Sequence, residues 1–355
     1  MQDPQGTTPS MGHQKGASVK DSEPHRSLTY RLRLFFHSNN VRLILGLVVS
    51  VSSNLLLGTL SFGWLYPDGL NYVSMIEYLR GHTTTWPHAP FSYRVLVPLI
   101  AAPIPLSAET AMGVVNVFFL TLYATVLYRM CLDSSQSVLA STGVLCVSSL
   151  TLPIRRYALA ALVDASEMFF LVLAVYLITN KYRDRYVALC VLVGLLTKET
   201  VILVLVFYLL HRPSVRTLAL LVGAGVYSLA YRLVVFHEVS QTLVFHLSIL
   251  ERLNDCALHL RDGLGPVLLL LVALYFSRNK TQTLMPQLRW MLQGLVAFAP
   301  LVVLGLFFAY FDARFIWPLH MFLLPVCAVG VSDFIDFLRL KTHKALTQVP
   351  QSAGS

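Results

Sequence analysis

Charged residues are scarce in this chain: 13% of its 355 residues are Asp, Glu, Lys or Arg, whereas 55% are hydrophobic. One soluble core could not bury that much apolar surface, so the composition excludes an ordinary soluble protein. The sequence lacks a dinucleotide-binding glycine motif, a P-loop, a zinc-protease motif and a serine-hydrolase elbow, which leaves soluble nucleotide and hydrolase chemistry unsupported. Its five cysteines form no CxxC pair or metal-ligand spacing, and we expect them to be inert.

Apolar segments recur from residue 43 to residue 338 and predict an all-α, polytopic transmembrane protein. A disordered cytoplasmic tail (1–42) precedes the transmembrane domain (43–338), and a second cytoplasmic tail (339–355) follows it. Two long outer loops are predicted at 64–106, with interfacial helices, and at 237–262. About eight full spans are predicted, at 43–63, 107–131, 134–153, 161–180, 215–236, 263–277, 289–310 and 316–338.

The segment 186–211 is apolar but has only about 26 residues, whereas two full crossings need about 40. It is either one long tilted span or a short re-entrant hairpin. The hairpin keeps the alternation of the other loops and places Lys198 and Glu199 at its tip.

With both termini in the cytoplasm, 18 of the 27 Lys and Arg residues fall on the cytoplasmic side. This bias follows the positive-inside rule and favours the stated orientation over its inverse. It also accounts for most of the net charge of +9, because the basic residues are spread over loops. We therefore predict no nucleic-acid partner.

Two groups of acidic residues are candidates for chemistry. Asp68 directly follows the first span, between Pro67 and Gly69, where a carboxylate can act as a general base or, alternatively, cap the following helix. Asp164 and Glu167 share one helix face just inside a span. Ionisable groups at that depth predict a functional site, with an ion pair to a nearby arginine as the alternative.

Basic residues complete this set. Lys198 either binds an anion or neutralises its neighbour Glu199. Arg314 either binds a phosphate through two hydrogen bonds or extends along the membrane interface. On the predicted topology these groups share one membrane face, which suits an anionic head group beside a base. We predict Asp68 as catalytic; the predicted substrate-binding residues are Arg94, Arg155, Arg156, Asp164, Glu167, Lys198, Glu199, Asp312 and Arg314. The histidines show no metal-ligand spacing, so we predict no metal site from the residues.

The order of these motifs resembles the GT-C superfamily of membrane glycosyltransferases over most of the chain, although the match is loose. Asp68 resembles the catalytic acidic residue of the family's first outer loop, and the segment 157–169 resembles the one that opens the fourth span. Gly194-Leu-Leu-Thr-Lys198 is similar to the family's short LTK hairpin, and Asp312-Ala-Arg314-Phe-Ile-Trp-Pro318 to its ERY…P junction. Gly69 stands where many members carry a second acidic residue.

The resemblance implies an inverting glycosyltransferase that moves a sugar from a polyprenyl-phosphate donor to a glycan or lipid acceptor at the non-cytoplasmic face. Asp68 would be the base, and Arg94, Lys198 and Arg314 would hold the donor phosphate. A divalent metal is left open, and membrane lipids are expected partners. We expect a bacterial inner membrane and cell-envelope assembly. The alternatives are a transporter or flippase of a lipid-linked or anionic solute, and a non-catalytic GT-C-like subunit.

Overall fold

The computed structural model describes residues 38–62, 64–236, 264–277, 281–308, 314 and 317–347. Within these residues the secondary structure is entirely helical, without a β-strand. The predictions for the tail before residue 38, for the loop 237–262, for Asp312 and for residues 348–355 lie outside the described part. The chain divides into two units after Arg42, and the first contributes only residues 38–42. All contacts below belong to the second unit.

The α-helices are numbered in chain order, and short 3-10 turns occur at Thr59–Ser61, Glu199–Ile202 and Trp317–Leu319. The α-helices are α1 (Ser38–Gly58), α2 (Pro67–Leu79), α3 (Leu96–Ala101), α4 (Ala108–Ser135), α5 (Val138–Ser149), α6 (Leu152–Tyr157), α7 (Asp164–Thr179), α8 (Asp184–Leu195), α9 (Leu203–His211), α10 (Val215–Phe236), α11 (Leu264–Phe276), α12 (Thr281–Phe308) and α13 (His320–Thr347).

Every segment predicted to span the membrane contains a helix, but the helices differ in length. Among the described residues, four are long and apolar enough to cross a membrane, at Asn40–Ser61, Ala108–Ser135, Val215–Val234 and Trp317–Thr342. Helices α5, α7 and α11 have only 12, 16 and 13 residues. The last helix continues nine residues beyond the predicted boundary at 338, into the predicted carboxy-terminal tail.

Helices α4 and α13 lie at the centre of the fold, whereas α1 and α10 lie at its periphery. The apolar stretches of α4 and α13 are 56% buried, compared with 22% for α1 and 11% for α10. The outer helices expose large side chains such as Leu56, Val226 and Val234. Water would penalise so much exposed apolar surface, and a lipid environment would not. The described helices therefore belong to a membrane protein.

Side-chain caps and close packing fix the central helices. Ser107 caps α4 by accepting a hydrogen bond from the Thr110 backbone N–H, and Gln136 ends the helix in the left-handed conformation with φ 52°. Where α11 crosses α13, a Cβ at Gly330 would overlap the backbone of Ala273, so the absence of a side chain permits this close approach. Trp317 Nε1 donates to Tyr123 Oη over 3.2 Å and ties the start of α13 to α4.

Candidate active site

The candidate residues meet where several helices begin or end. Asp68 lies in the first turn of α2, Asp164 opens α7, Lys198 lies in the turn between α8 and α9, and Arg314 precedes α13. We call this end of the helical assembly the cluster end. The turn at Asn180–Lys181 and the turn at Arg212 lie at the other ends of α7 and α9, so they mark the opposite end.

Two buried carboxylates share one lysine at the centre of the cluster. Lys198 Nζ lies 2.9 Å from Asp164 Oδ1 and 2.7 Å from Glu167 Oε2, and both acidic side chains are only 3% exposed. The Thr200 hydroxyl donates to the other oxygen of Glu167. Because an unpaired charge is costly at this depth, the shared lysine is the main group that compensates the two carboxylates. The predicted alternative was an ion pair with an arginine, and the arginine within ion-pair distance of Asp164 is Arg314, at 3.9 Å, rather than Arg155 or Arg156.

Arg314 connects this buried group to Asp68. Its Nη1 atom lies 3.3 Å from Asp68 Oδ2 and 3.9 Å from Asp164 Oδ2, and its guanidinium lies over the Tyr157 ring at 5.2 Å. Asp68 is 41% exposed, against 3% for Asp164. Among the carboxylates of the cluster, Asp68 is therefore the one most open to a bound molecule.

Asp68 does not cap α2, so that alternative is wrong. The helix begins at Pro67, its N-cap residue is Tyr66, and no side-chain cap hydrogen bond is present. The segment just before α2 is held by a hydrogen bond of 3.1 Å from Ala161 N to Trp64 O. A Cβ at Gly69 would lie 2.6 Å from the Ala161 carbonyl oxygen. This contact leaves no room for a second acidic side chain beside Asp68.

Lys198 and Glu199 do not neutralise each other, although they are adjacent in sequence. Lys198 has an extended backbone, with φ −164° and ψ 142°, so the two side chains leave in opposite directions. Glu199 forms a two-pronged pair with Arg94, at 2.7 Å and 3.1 Å. A backbone hydrogen bond of 3.0 Å, from Leu96 N to Leu196 O, joins the same two segments.

Arg94 is also bound to Tyr72 on α2. Its Nη1 atom donates to Tyr72 Oη over 3.2 Å, and burial raises the pKa of this tyrosine, so the phenol stays neutral. Arg232 of α10 adds a second cation 3.9 Å from Glu199 and lies over the Tyr93 ring at 4.1 Å. Glu199 thus links the first loop to the turn between α8 and α9.

Arg155 and Arg156 lie in the last turn of α6, directly before Tyr157. Arg156 is exposed, and its backbone carbonyl accepts a hydrogen bond of 3.3 Å from the Tyr66 hydroxyl. Arg155 is partly buried, and its Nε atom is enclosed without a hydrogen-bond partner in the described part. Neither arginine forms an ion pair there with a carboxylate. They are therefore cations whose charge is not locally compensated.

Three further residues support the site and were not predicted from the sequence: Tyr72, Asn116 and Arg232. Asn116 of α4 is buried, and its Nδ2 atom donates to the carbonyls of Ala160 and Leu162, over 2.7 and 2.9 Å, just before Asp164. Arg232 could have been identified from the sequence, because an arginine inside an otherwise apolar span is costly without a partner. The sequence could not identify Tyr72 and Asn116, since a tyrosine or asparagine at helical spacing does not reveal which loop it contacts.

The cluster does not fit a metal ion. Among the described residues, no three His, Cys, Asp or Glu side chains converge on one point. Asp164 and Glu167 both contact Lys198, and Gly69 has no space for another carboxylate. Four carboxylates (Asp68, Asp164, Glu167 and Glu199) instead face four cations (Arg94, Lys198, Arg232 and Arg314). Ion pairs balance this group without help from a bound ion.

Comparisons with known protein families, curated protein sequences and solved structures found no match to this chain.

Proposed function

We propose that the chain is a membrane glycosyltransferase of the GT-C type, which transfers a sugar from a polyprenyl-phosphate donor to an acceptor hydroxyl. The main support is the arrangement around Asp68. Its carboxylate is 41% exposed and 3.3 Å from one guanidinium nitrogen of Arg314, while Asp164 and Glu167 are buried against Lys198. This is the pairing that the reaction needs, with an open base beside a cation.

In the proposed reaction the acceptor hydroxyl attacks the anomeric carbon of the donor sugar. Asp68 takes the hydroxyl proton as the new C–O bond forms. The bond between the anomeric carbon and the phosphate oxygen breaks, and its electron pair leaves with polyprenyl phosphate. Inversion at the anomeric carbon is implied by the GT-C resemblance. Arg314, within reach of Asp68, would stabilise the negative charge that develops on the phosphate.

The contacts favour a different set of phosphate-binding residues from the one predicted. Arg94 and Lys198 each contact carboxylate oxygens at 2.7 Å, so binding a phosphate would require breaking those pairs. We propose that these two residues shape the site. Arg155 and Arg156, which form no ion pair in the described part, would bind the donor phosphate together with Arg314. The rings of Tyr66 and Tyr157, with their centroids 5.4 Å apart, lie between these arginines and Asp68 in the proposed site.

The proposed topology keeps eight crossings and a re-entrant hairpin. A hydrogen bond of 2.6 Å from the Tyr208 hydroxyl to Asp184 brings the end of α9 beside the start of α8. This contact supports the hairpin over a single long span. The cluster end would face the non-cytoplasmic side, in a bacterial inner membrane, where cell-envelope glycan or glycolipid is assembled.

The test is sugar transfer in membranes that contain the full chain or its Asp68→Asn variant. We expect the variant to lose transfer by about 10²- to 10⁴-fold while its amount in the membrane is unchanged, because Asn cannot accept the proton. Asp133→Asn is the matched control, since Asp133 only pairs with Arg129 on the exposed end of α4, at 2.9 Å. Full transfer by the Asp68 variant would remove the assignment and favour a non-catalytic subunit.

A further inference from the structure

The turn between α9 and α10 lies far from Asp68, at the opposite end of the assembly. Helix α10 begins at Val215 beside this turn and carries Arg232, which reaches Glu199 at the cluster end. Seventeen residues of helix between them correspond to about 26 Å. The turn and the cluster end therefore lie at opposite ends of α10, near the two surfaces of a bilayer.

Two cavities flank this turn, and the neighbouring residues His211 and Arg212 each line one of them. One has a volume of about 490 Å³ and is lined by polar groups that include Arg212, Arg216, Ser214 and Thr217. The other has a volume of about 820 Å³ and runs along α12 from His211. The first is lined mainly by polar residues and the second mainly by apolar ones, and we call them the polar half and the apolar half of the candidate site.

The polar half carries net positive charge, because two arginines, Arg212 and Arg216, line it with a single carboxylate, Asp184. Within the part of the chain that the structure describes, neither Arg212 nor Arg216 forms an ion pair. Asp184 accepts a hydrogen bond of 2.6 Å from the Tyr208 hydroxyl. Thr217 N donates to Ser214 Oγ and Ser214 N to Thr217 Oγ1, both over 3.1 Å, which fixes the turn between the arginines. A fixed cationic turn suits a phosphate.

The apolar half is built from α12. Met285 and Leu292 are 60% and 58% exposed, and the partly buried Trp290 ring meets the His211 ring edge-on at 6.2 Å. Arg289 is exposed at the rim and forms no ion pair within the described residues. Tryptophan and arginine at the end of an apolar helix are typical of the level of lipid head groups. A soluble anion would contact only the polar half.

We propose that this site binds an anionic phospholipid, with the phosphate at Arg212, Arg216 and Arg289 and an acyl chain along Met285, Trp290 and Leu292. Charge complementarity selects an anionic over a zwitterionic head group, because three arginines outnumber the one carboxylate, Asp184, in the lining. Basic pockets between membrane helices on the cytoplasmic side bind such lipids, and the predicted orientation places the turn on that side. The proposal does not depend on the glycosyltransferase function.

The test uses the purified full chain in detergent, titrated with phosphatidylglycerol or phosphatidylcholine and followed by native mass spectrometry. Each basic residue near an anionic head group contributes about a factor of five in affinity. Arg216→Gln and Arg289→Gln should each lower phosphatidylglycerol binding about fivefold, and together about 25-fold. Arg216→Lys should retain binding. Arg129→Gln is the matched control, because Arg129 is exposed but paired with Asp133.

Four outcomes would overturn the proposal. Equal binding of phosphatidylcholine would show that head-group charge is irrelevant. Competition by inorganic phosphate at matched concentration would assign the site to a soluble anion. Unchanged phosphatidylglycerol binding by the double Gln variant would remove the arginines from the site. An equal loss in Arg129→Gln would reduce the effect to the net charge of the protein.

Discussion

Lys198 offers the sharpest test of the buried charge cluster. Its Nζ atom lies 2.9 Å from Asp164 and 2.7 Å from Glu167, and both carboxylates are 3% exposed. Replacing Lys198 by Met removes the shared cation but keeps most of the side-chain volume. Removing one partner of a buried pair costs about 3–5 kcal/mol. Asp164 retains Arg314 at 3.9 Å and Glu167 retains Thr200, so we expect a loss near the middle of that range.

The assay is reversible unfolding of the detergent-solubilised chain by increasing SDS, followed by circular dichroism. Lys198→Met should lower the free energy of unfolding by about 4 kcal/mol. The triple variant that adds Asp164→Asn and Glu167→Gln should recover to within about 1 kcal/mol of wild type, because the three mutually contacting groups would then all be uncharged. The exposed control Lys341→Met should change it by less than about 0.5 kcal/mol.

An unfolding free energy of Lys198→Met equal to that of the wild type would refute this reasoning. It would mean that water, rather than Lys198, compensates the two carboxylates. A triple variant no more stable than Lys198→Met would show that the lysine acts through packing instead of charge.

Three further predictions concern the segments around Asp68. Gly69→Ala should lower the free energy of unfolding by about 1–3 kcal/mol, because the new Cβ would clash with a backbone carbonyl. Gly143→Ala, with nothing within 4 Å, should not lower it in the same SDS titration, because alanine favours a helix interior over glycine. Asn116→Ala should lower the free energy of unfolding by about 1–3 kcal/mol, because two carbonyls lose their donor. The control Asn180→Ala, at an exposed position, should lower it less, and equal losses would contradict this account. Arg156→Gln should raise the KM for the donor about tenfold at unchanged stability, measured by steady-state transfer; an unchanged KM would exclude Arg156 from donor binding.

The helical segments could be predicted because long apolar runs need no knowledge of their neighbours. Helix ends were less predictable: the fifth helix has only 12 residues, and the last helix runs to Thr347, where the sequence suggested a tail. Apolar content marks the part of a helix that suits lipid, but a helix can stop earlier or continue into water. Lengths of this kind are set by caps and by tertiary contacts.

The predicted topology also grouped candidate residues that lie close together in the structure. Asp68, Asp164, Lys198 and Arg314 were predicted at one membrane face, and the structure brings them within ion-pair distances. The partners were not predictable. Which of several cations reaches Asp164 depends on side-chain direction, and the extended backbone at Lys198 decides this. The same backbone sends Glu199 to Arg94, a residue 105 positions away.

The glycosyltransferase proposal is tested most directly by the purified chain in liposomes that contain a labelled polyprenyl-phosphate sugar and an acceptor. We expect the wild type to release free polyprenyl phosphate as the sugar appears on the acceptor, and Asp68→Asn to release almost none. Labelled donor that crosses the bilayer chemically unchanged, at equal rates for both proteins, would contradict the proposal and identify a transporter.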